Sequence, residues 1–354
     1  MGRVVRFASP REVTIVEEED AELAPPEVRI ATLFSGISAG TEMSYYRGTN
    51  PYLSKRWDPD QRLFRQVGDD GAATTLSYPI DGKGHEEVGA VVEVGTEVDD
   101  VVPGEIVWGK WGHRSSTVKP ADYVRRRRLP VGTDPLLGVF SQIGAIALNV
   151  VLDADIHVGE TVAVFGLGVP GQIVAQLARR NGAEVIAVDP HDSRLKTAAS
   201  LGATHTVNAN EGSVGERIRE LTDGRGADVA LEVTGSYRAL HEAVRSVSYN
   251  ARVVAAGFFQ GEAAGLALGE EFHHNRVELR CSQISGVSPQ LGHRWNEERL
   301  QRTVMGLAAS GRLQLEQLVT EVLPVERAAE AFELLDNSRE RVLQVVLTFE
   351  DGAE

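Results

Sequence analysis

Hydrophobic positions follow two different periods along this chain, and the change of period divides it. In the N-terminal third, apolar residues alternate with polar ones or form short β-branched runs bounded by Gly and Pro, the pattern of strands. VVRFASPREVTIVEEE predicts a hairpin turning near Pro10, EVRIATLFSGIS a strand running into a glycine-bearing turn, and GAVVEVG and EIVWG two more strands. From Asp134 to Leu152 the chain is continuously apolar, PLLGVFSQIGAIALNVVL, which predicts a buried helix. Beyond it, short apolar runs alternate with helical periods: Thr161–Phe165, Val185–Val188, HTVNA near 205, ADVALEVTG near 230, ARVVAAG near 254 and VELRCSQ near 280. That alternation predicts an α/β fold, a doubly wound parallel sheet of about six strands. The C-terminal stretch returns to helix, then a strand at Leu318–Val322, a helix VERAAEAFELLDN and a last strand VLQVVLTF. Between Tyr45 and Tyr78 no period holds, so the chain is expected to make a long surface excursion there.

The stretch TVAVFGLGVPGQIVAQLARRNGAEVIAVD, Thr161 to Asp189, carries the most specific chemistry. Gly166, Gly168 and Gly171 stand in G-x-G-x-x-G spacing between a strand and a helix whose apolar face is Ile173, Val174, Leu177 and Ala178. The first glycine permits a tight turn, the second a close approach to a pyrophosphate, the third close packing of helix on strand. The helix N-terminus offers free N–H groups to phosphates. Asp189, ending the second strand, is placed to accept ribose hydroxyls and to repel a 2′-phosphate, which favours NAD over NADP. His191 and Arg194 just beyond it pull the other way. Candidate cofactor-binding residues are Gly166, Gly168, Val169, Pro170, Gly171, Asp189 and Arg194, with Thr234, Gly235 and Gly257 at the ends of later strands. Pro170 suits a helix start but removes one N–H from the phosphate site.

A length of 354 residues allows two domains with substantial cores. The net charge of −15 argues against nucleic acid or an anionic membrane as partner. Arg125 to Arg128 form the one basic cluster, read as a solvated strand edge. The single cysteine, Cys281, rules out an internal disulfide and a Cys-rich zinc module, and its apolar surroundings suggest a buried thiol. With no N-terminal h-region and no apolar run judged long enough to span a membrane, the protein is expected to be cytoplasmic.

Taken together, FSGISAGTE at 34–42, GHEEVGAVVEVG at 84–95, GEIVWG at 104–109, VGETVAVFGLGVPG at 158–171 and the C-terminal LPVERAAEAFELLDN resemble the medium-chain dehydrogenase/reductase superfamily of zinc alcohol and polyol dehydrogenases. The resemblance covers nearly the whole chain. It implies a GroES-like β-rich catalytic domain, residues 1–148 and 291–354, and an inserted Rossmann NAD-binding domain, residues 149–290. It also implies a homodimer or homotetramer, with ELRCSQ at 278–283 as the pairing edge.

Zinc members of that superfamily hold a cysteine ligand, a hydroxyl residue and an acid at the first turn. By that resemblance the three places here are Ser38, Thr41 and Glu42. The histidine ligand is present as His85, followed by Glu86, and the third ligand place falls at Ser141 or Gln142. A neutral hydroxyl is a poor zinc ligand, so no metal is expected. His113 is read either as completing an unusual site or as structural. The ISAGTE turn resembles a zinc-poor branch that includes the dehydrogenase of bacteriochlorophyll synthesis, and SQISGVSP and HRWNEER at 282–298 resemble a zinc-type alcohol dehydrogenase-like bacterial subgroup. The expected activity is NAD-dependent hydride transfer between a secondary alcohol and a ketone. The substrate would be a polyol, cyclitol, sugar derivative or hydroxyalkyl group. His85 is the natural acid/base, Ser38 and Thr41 supply hydroxyls, and Glu42 and Glu86 orient or tune. Tyr45, Tyr46 and Arg47 either line a pocket or pack the excursion. The alternatives are a zinc-free ene or quinone reductase, against which Asp189 and His85 both count, and a non-catalytic NAD-binding regulator.

Overall fold

A computed structural model describes residues 1–66 and 76–349, so part of the 45–78 excursion lies outside the described residues. The first elements are β1 (Gly2–Ser9), β2 (Glu12–Glu18), β3 (Glu27–Ile37), α1 (Thr41–Arg47), β4 (Lys55–Asp58), β5 (Leu63–Gln66), β6 (Ile80–Asp81), β7 (Glu87–Val94), β8 (Ile106–Gly109), β9 (Ser116–Pro120) and α2 (Ala121–Arg125). Next come α3 (Phe140–Ala154), β10 (Thr161–Phe165), α4 (Val169–Arg180), β11 (Glu184–Asp189), α5 (Asp192–Ser200), β12 (His205–Asn208) and α6 (Val214–Leu221). The chain continues through β13 (Ala227–Glu232), α7 (Tyr237–Ser246), β14 (Val247–Ala255), β15 (Glu278–Cys281) and α8 (Glu297–Ala309), and ends with β16 (Val319–Pro324), α9 (Ala328–Asn337) and β17 (Gln344–Thr348).

These elements form two units, residues 1–140 with 319–354, and residues 141–318. The second unit therefore keeps 291–318, which the sequence reading assigned to the first. The reason is packing: α8 seats Val304 where a side chain at Gly144 would stand, and Gln301 donates to Gln142 at 2.6 Å. An amphipathic helix carries no mark of which core it will join.

In the first unit β3 is the central strand. It pairs antiparallel with β7, β9 and β17, and the sheet runs β16-β17-β3-β7-β8 with β9 on β3. A smaller sheet, β2-β1-β6, contains the hairpin read at Pro10. Val5, Phe7, Ile37, Met43, Tyr46, Phe332, Val345 and Leu347 make one buried cluster. Phe332 lies at its centre, edge-on to Phe7 at 5.0 Å, stacked on Tyr46 at 5.7 Å and edge-on to His113 at 6.0 Å. Tyr46 is thus a core residue, and Arg47 is tied to Asp336 at 2.6 Å. The described part of the excursion is not periodless. It holds the hairpin β4-β5, with Trp57 against Phe64 at 5.1 Å.

In the second unit six parallel strands are ordered β12-β11-β10-β13-β14-β15. Helices cover both faces of such a sheet, so its central strand reads as an unbroken apolar run. All five residues of β10 are buried. Two expectations need correction. Cys281 is exposed, because β15 is the sheet edge and its burial pattern is open. The 20-residue segment Pro135–Ala154, mean hydropathy 1.8, is long and apolar enough to cross a membrane, but 78% of its most apolar window is buried inside the molecule. It is a core helix, as the continuous apolar run suggested.

Phe332→Ala removes the ring that three aromatic neighbours share. Large-to-small changes of this kind cost ~3–5 kcal/mol. Urea unfolding followed by near-UV circular dichroism is expected to show the loss; a change under about 1 kcal/mol would mean the cluster repacks.

Candidate functional site

Two sites are built, one in each unit. In the second unit, β10 delivers the chain to Gly166, which adopts φ +91°, a region that favours glycine. A β-carbon on Gly171 would lie 1.8 Å from the Gly166 carbonyl oxygen, so the turn closes only with glycine there. Gly168 caps α4 without any side-chain hydrogen bond, and Pro170 sits in the first turn. The N–H groups of that turn are consequently available to an anion. Asp189 ends β11, 2% exposed. Its Oδ2 accepts the Leu167 N–H at 2.8 Å and its Oδ1 the His191 N–H at 2.9 Å, with Arg194 Nη1 3.8 Å from Oδ2. The carboxylate is therefore held against the glycine turn from both sides. Gln172, on α4, donates to the Leu167 and Arg194 carbonyls at 3.2 and 2.9 Å and fixes the same turn.

Sequence reading missed Glu232, the last residue of β13. It is fully buried and accepts the N–H groups of Thr234 and Gly235 at 2.8 and 3.2 Å, along with the Thr234 hydroxyl. Its backbone carbonyl receives Ala256 and Gly257. One glutamate thus organises all three of the later cofactor candidates, Thr234, Gly235 and Gly257. The only sequence signal was an acid closing an apolar strand one turn before a Thr-Gly pair. This cradle fits a dinucleotide: a turn that admits no β-carbon at Gly166 or Gly171, an uncapped helix start and an acid at the next strand end.

In the first unit, four segments converge. β3 supplies Ser35 and Ser38 follows its end. α1 supplies Thr41 and Glu42 in its first turn. The start of β7 supplies Glu87, preceded by His85 and Glu86, and the segment after β8 supplies His113. Glu42, Glu86, Glu87, Ser35 and His113 are all at most 1% exposed, whereas the His85 side chain is 22% exposed. His113 Nε2 lies 2.6 Å from Glu42 Oε2 and its Nδ1 lies 2.6 Å from Ser35 Oγ. Ser35 Oγ lies 3.3 Å from Glu87 Oε1. Glu87 also accepts the N–H groups of Glu86 at 3.2 Å and Trp111 at 2.6 Å. His85 faces Glu42 Oε1 through Nδ1 at 3.6 Å and Glu86 Oε1 through Nε2 at 3.8 Å. A β-carbon on Gly36 would stand 2.7 Å from Glu86 Oε2, so glycine there makes room for that carboxyl.

Burial governs the electrostatics. Desolvation raises the pKa of Glu42 well above the usual range, opposed by the Ser38 N–H. It does the same to Glu86, reinforced by Glu42 and Glu87, and raises Glu87 against the pull of His113 and two N–H groups. Burial, with His113 and Lys110 adding, pushes His85 down to about 4, and burial pushes His113 to about 4 against the pull of Glu87. Both imidazoles are neutral at pH 7. Of the sequence candidates, Glu42, His85 and Glu86 come together. Ser38 is buried in the adjoining turn, while Ser141 and Gln142 belong to the second unit. Ser35, Glu87 and the role of His113 were missed, since pairing across β3 and β7 is not a local pattern.

The donor set as it stands does not fit a catalytic zinc: the two ring nitrogens of His85 are turned to different carboxyls, and no three ligand atoms of the cluster gather at one point. Among the described residues, the one trio of His, Asp, Glu or Cys with ligand atoms gathered within 4.8 Å is His241, Glu270 and Glu271 of the second unit.

Residues 170–297 match the zinc-binding dehydrogenase family. D-guloside 3-dehydrogenase of Escherichia coli K12 is 31% identical over 353 residues, covering 99% of this chain and 100% of its own. A Sinorhizobium meliloti 1021 protein solved bound to NADP superposes with TM-score 0.77 at 21% identity, over 98% of this chain and 99% of its own. An Escherichia coli CFT073 alcohol dehydrogenase solved with NADH gives 0.75 at 22%, over the same shares.

His113 ties stability to pH. Its pKa is about 4 in the fold against 6.5 unfolded, so the stabilisation is complete above pH 6.5 and is lost as pH falls toward 4. The difference in melting temperature between wild type and His113→Gln is expected to shrink over that window. A constant difference from pH 7 to 4 would contradict it.

Proposed function

The chain belongs to the medium-chain dehydrogenase/reductase superfamily and is an alcohol dehydrogenase-like oxidoreductase, and on that footing we propose that it oxidises a ring hydroxyl of a sugar derivative with NAD, using His85 in place of a zinc-bound oxygen. The reaction class is the interconversion of a secondary alcohol and a ketone. The observation that carries the acid/base assignment is the constellation around His85: a partly exposed, neutral imidazole whose Nδ1 faces a buried glutamate held by a second histidine. A neutral imidazole is the form that takes a proton.

NAD, when bound, supplies the hydride chemistry. This chain's residues hold it and manage the proton. Gly166, Gly168, Val169, Pro170 and Gly171 form the pyrophosphate turn, and Asp189 accepts ribose hydroxyls. Thr234, Gly235 and Gly257, set by Glu232, line the later strand ends. Ser38 and Thr41, in the turn that leads into Glu42, are assigned to orienting the substrate oxygen, with Glu86 tuning His85. A sugar derivative as substrate is supported by the name of the relative that spans the whole chain. The preference for NAD over NADP rests on the buried Asp189 carboxylate and is tempered by Arg194 beside it. The same reading places the protein in the cytoplasm and pairs two copies through the open edge of β15, where Leu279 is 38% exposed.

NADH formation over gulosides, other glycosides, polyols and cyclitols tests the substrate class. The strongest turnover is expected with a glycoside, and a polyol as the best substrate would overturn it. Activity is expected to survive EDTA; loss of activity restored by zinc would refute the metal-free reading. His85→Ala is expected to lower kcat by ~10²–10⁴ with NADH affinity unchanged. A near-wild-type rate from pH 6 to 9 would show the histidine to be idle.

NADH binds more tightly than NADPH on this account, and Asp189→Ala narrows the gap. Fluorescence titration decides it; equal affinities in wild type would sink the assignment.

A further inference from the structure

Glu42, His113, Ser35 and Glu87 form a continuous buried row whose near end, Glu42 Oε1, faces His85 and whose far end, Glu87, is capped by backbone N–H groups. The arrangement Ser–His–Glu has the order of a hydrolytic triad, but Ser35 is fully buried and faces a carboxylate, so it is no nucleophile. The row can be satisfied with the proton at either carboxyl end, and the resting direction runs from Glu42 to Glu87. Glu42 carries its proton on Oε2 and donates to His113 Nε2. His113 then carries its proton on Nδ1 and donates to Ser35 Oγ, and the Ser35 hydroxyl donates to Glu87 Oε1. In that state Glu42 and His113 are neutral and Glu87 holds the one negative charge, next to the N–H groups of Glu86 and Trp111. The opposite direction puts the proton on Glu87, which then donates to Ser35 Oγ, and is the state of the row after uptake; at rest the N–H groups of Glu86 and Trp111 favour the charge on Glu87.

We infer that this row is a proton store behind His85, and that Glu42, His113, Ser35 and Glu87 are positioning residues for the dehydrogenase reaction. The inference rests on the assignment of His85 as acid/base.

The balance closes. As the alcohol is oxidised, its hydride leaves with the cofactor and its hydroxyl proton goes to His85 Nε2. His85 passes its Nδ1 proton to Glu42 Oε1, 3.6 Å away at rest, once the ring closes to hydrogen-bond distance. Glu42 passes the Oε2 proton to His113 Nε2, His113 its Nδ1 proton to Ser35 Oγ, and Ser35 its hydroxyl proton to Glu87. Both histidines end neutral with their tautomers exchanged, Glu42 is again a neutral acid, and Glu87 has become one. The row takes up one proton without leaving an isolated charge in the interior, where such a charge is costly. In the reverse direction the same row supplies the proton to the ketone oxygen. The charged and titratable groups facing it are Glu86 and Lys110 beside His85, Tyr45 towards Glu42, Lys119 towards Glu87, and Glu42 and Glu87 on either side of His113.

Two measurements on the full-length protein test this separately from the acid/base assignment. Without any ligand, nitrogen-15 NMR of the histidine rings is expected to show His113 neutral and protonated on Nδ1 from pH 6 to 8. An imidazolium, or the Nε2-protonated tautomer, at pH 7 would overturn the store whatever His85 does. In a single turnover with NAD and the best sugar substrate, followed with a pH indicator, NADH is expected to appear before the proton reaches bulk water. In Ser35→Ala the two are expected to coincide, with kcat falling by less than the ~10²–10⁴ of His85→Ala and KM for NAD unchanged. Ser35→Thr, which keeps the hydroxyl, restores the lag. Simultaneous release in wild type, or an intact lag in Ser35→Ala, would refute the store; if Ser35→Ala does not fold, the wild-type and Ser35→Thr traces decide. A His85→Ala enzyme of full activity with His113 protonated on Nδ1 would remove the acid/base assignment and with it the store's function, while leaving the hydrogen-bond direction standing.

Discussion

The first unit is built around three glutamates that are taken out of water without a buried lysine or arginine beside them. Among the described residues, none of the buried polar side chains is a lysine or an arginine. A carboxylate in that position must be hydrogen-bonded, protonated or both, because an uncompensated charge in a low-dielectric interior is far too costly. Glu87 meets the condition with backbone N–H groups, Glu42 with His113, and Glu86 by becoming a neutral acid. Each solution needs a particular backbone. Gly36 has no side chain because Glu86 occupies its space, and Gly84 has none because Glu87 and the His113 ring lie within 3.1 Å of where a β-carbon would be. The pairing of β3 with β7 brings Ser35 level with Glu87, and Phe332 backs His113 from the aromatic cluster. Core, sheet register and site are one construction.

The second unit solves the same problem at its strand ends. Asp189 and Glu232 close neighbouring parts of one parallel sheet, both buried, both accepting N–H groups from the loops that follow β10, β11 and β13. A carboxylate used this way is a template for a turn. It orders loops that would otherwise have no hydrogen-bond partners of their own, and a rigid loop loses less entropy when a ligand settles on it.

How much of this was legible in the sequence depends on the range of the interaction. The dinucleotide turn was fully legible, since strand, glycines, helix and acid lie within thirty residues and each is dictated by local geometry. The parallel sheet followed from alternation of periods. Cys281 was misread because an edge strand keeps the composition of its buried neighbours while one side of it faces solvent. The placement of 291–318 was misread because α8 has an ordinary amphipathic pattern, and only Val304 and Gln301 reveal its partner. In the polar cluster the doubled acid of GHEE is visible in the sequence, and the fold brings Glu42 within 3.6 Å of His85. Ser35 and His113 stand 78 residues apart and meet only through tertiary structure.

Hydride transfer leaves one question to the protein, which is where the hydroxyl proton goes. A metal answers it by making the alkoxide stable, so that the proton can be lost early. On the metal-free reading proposed above, the chain must instead keep a base that is neutral before the reaction and does not strand a charge after it. A lone buried histidine fails the second requirement, because accepting the proton creates an imidazolium where water cannot reach it. A histidine backed by a neutral acid and a neutral second histidine meets both, since the accepted charge is cancelled at the carboxylate at the far end of the row. Glu87 is the member of this cluster whose N–H groups prepare it to be that carboxylate. The same burial that raises the acids and lowers the imidazoles reverses their ordinary order, so Glu42 holds a proton in preference to the imidazoles beside it and the row rests with both histidines neutral.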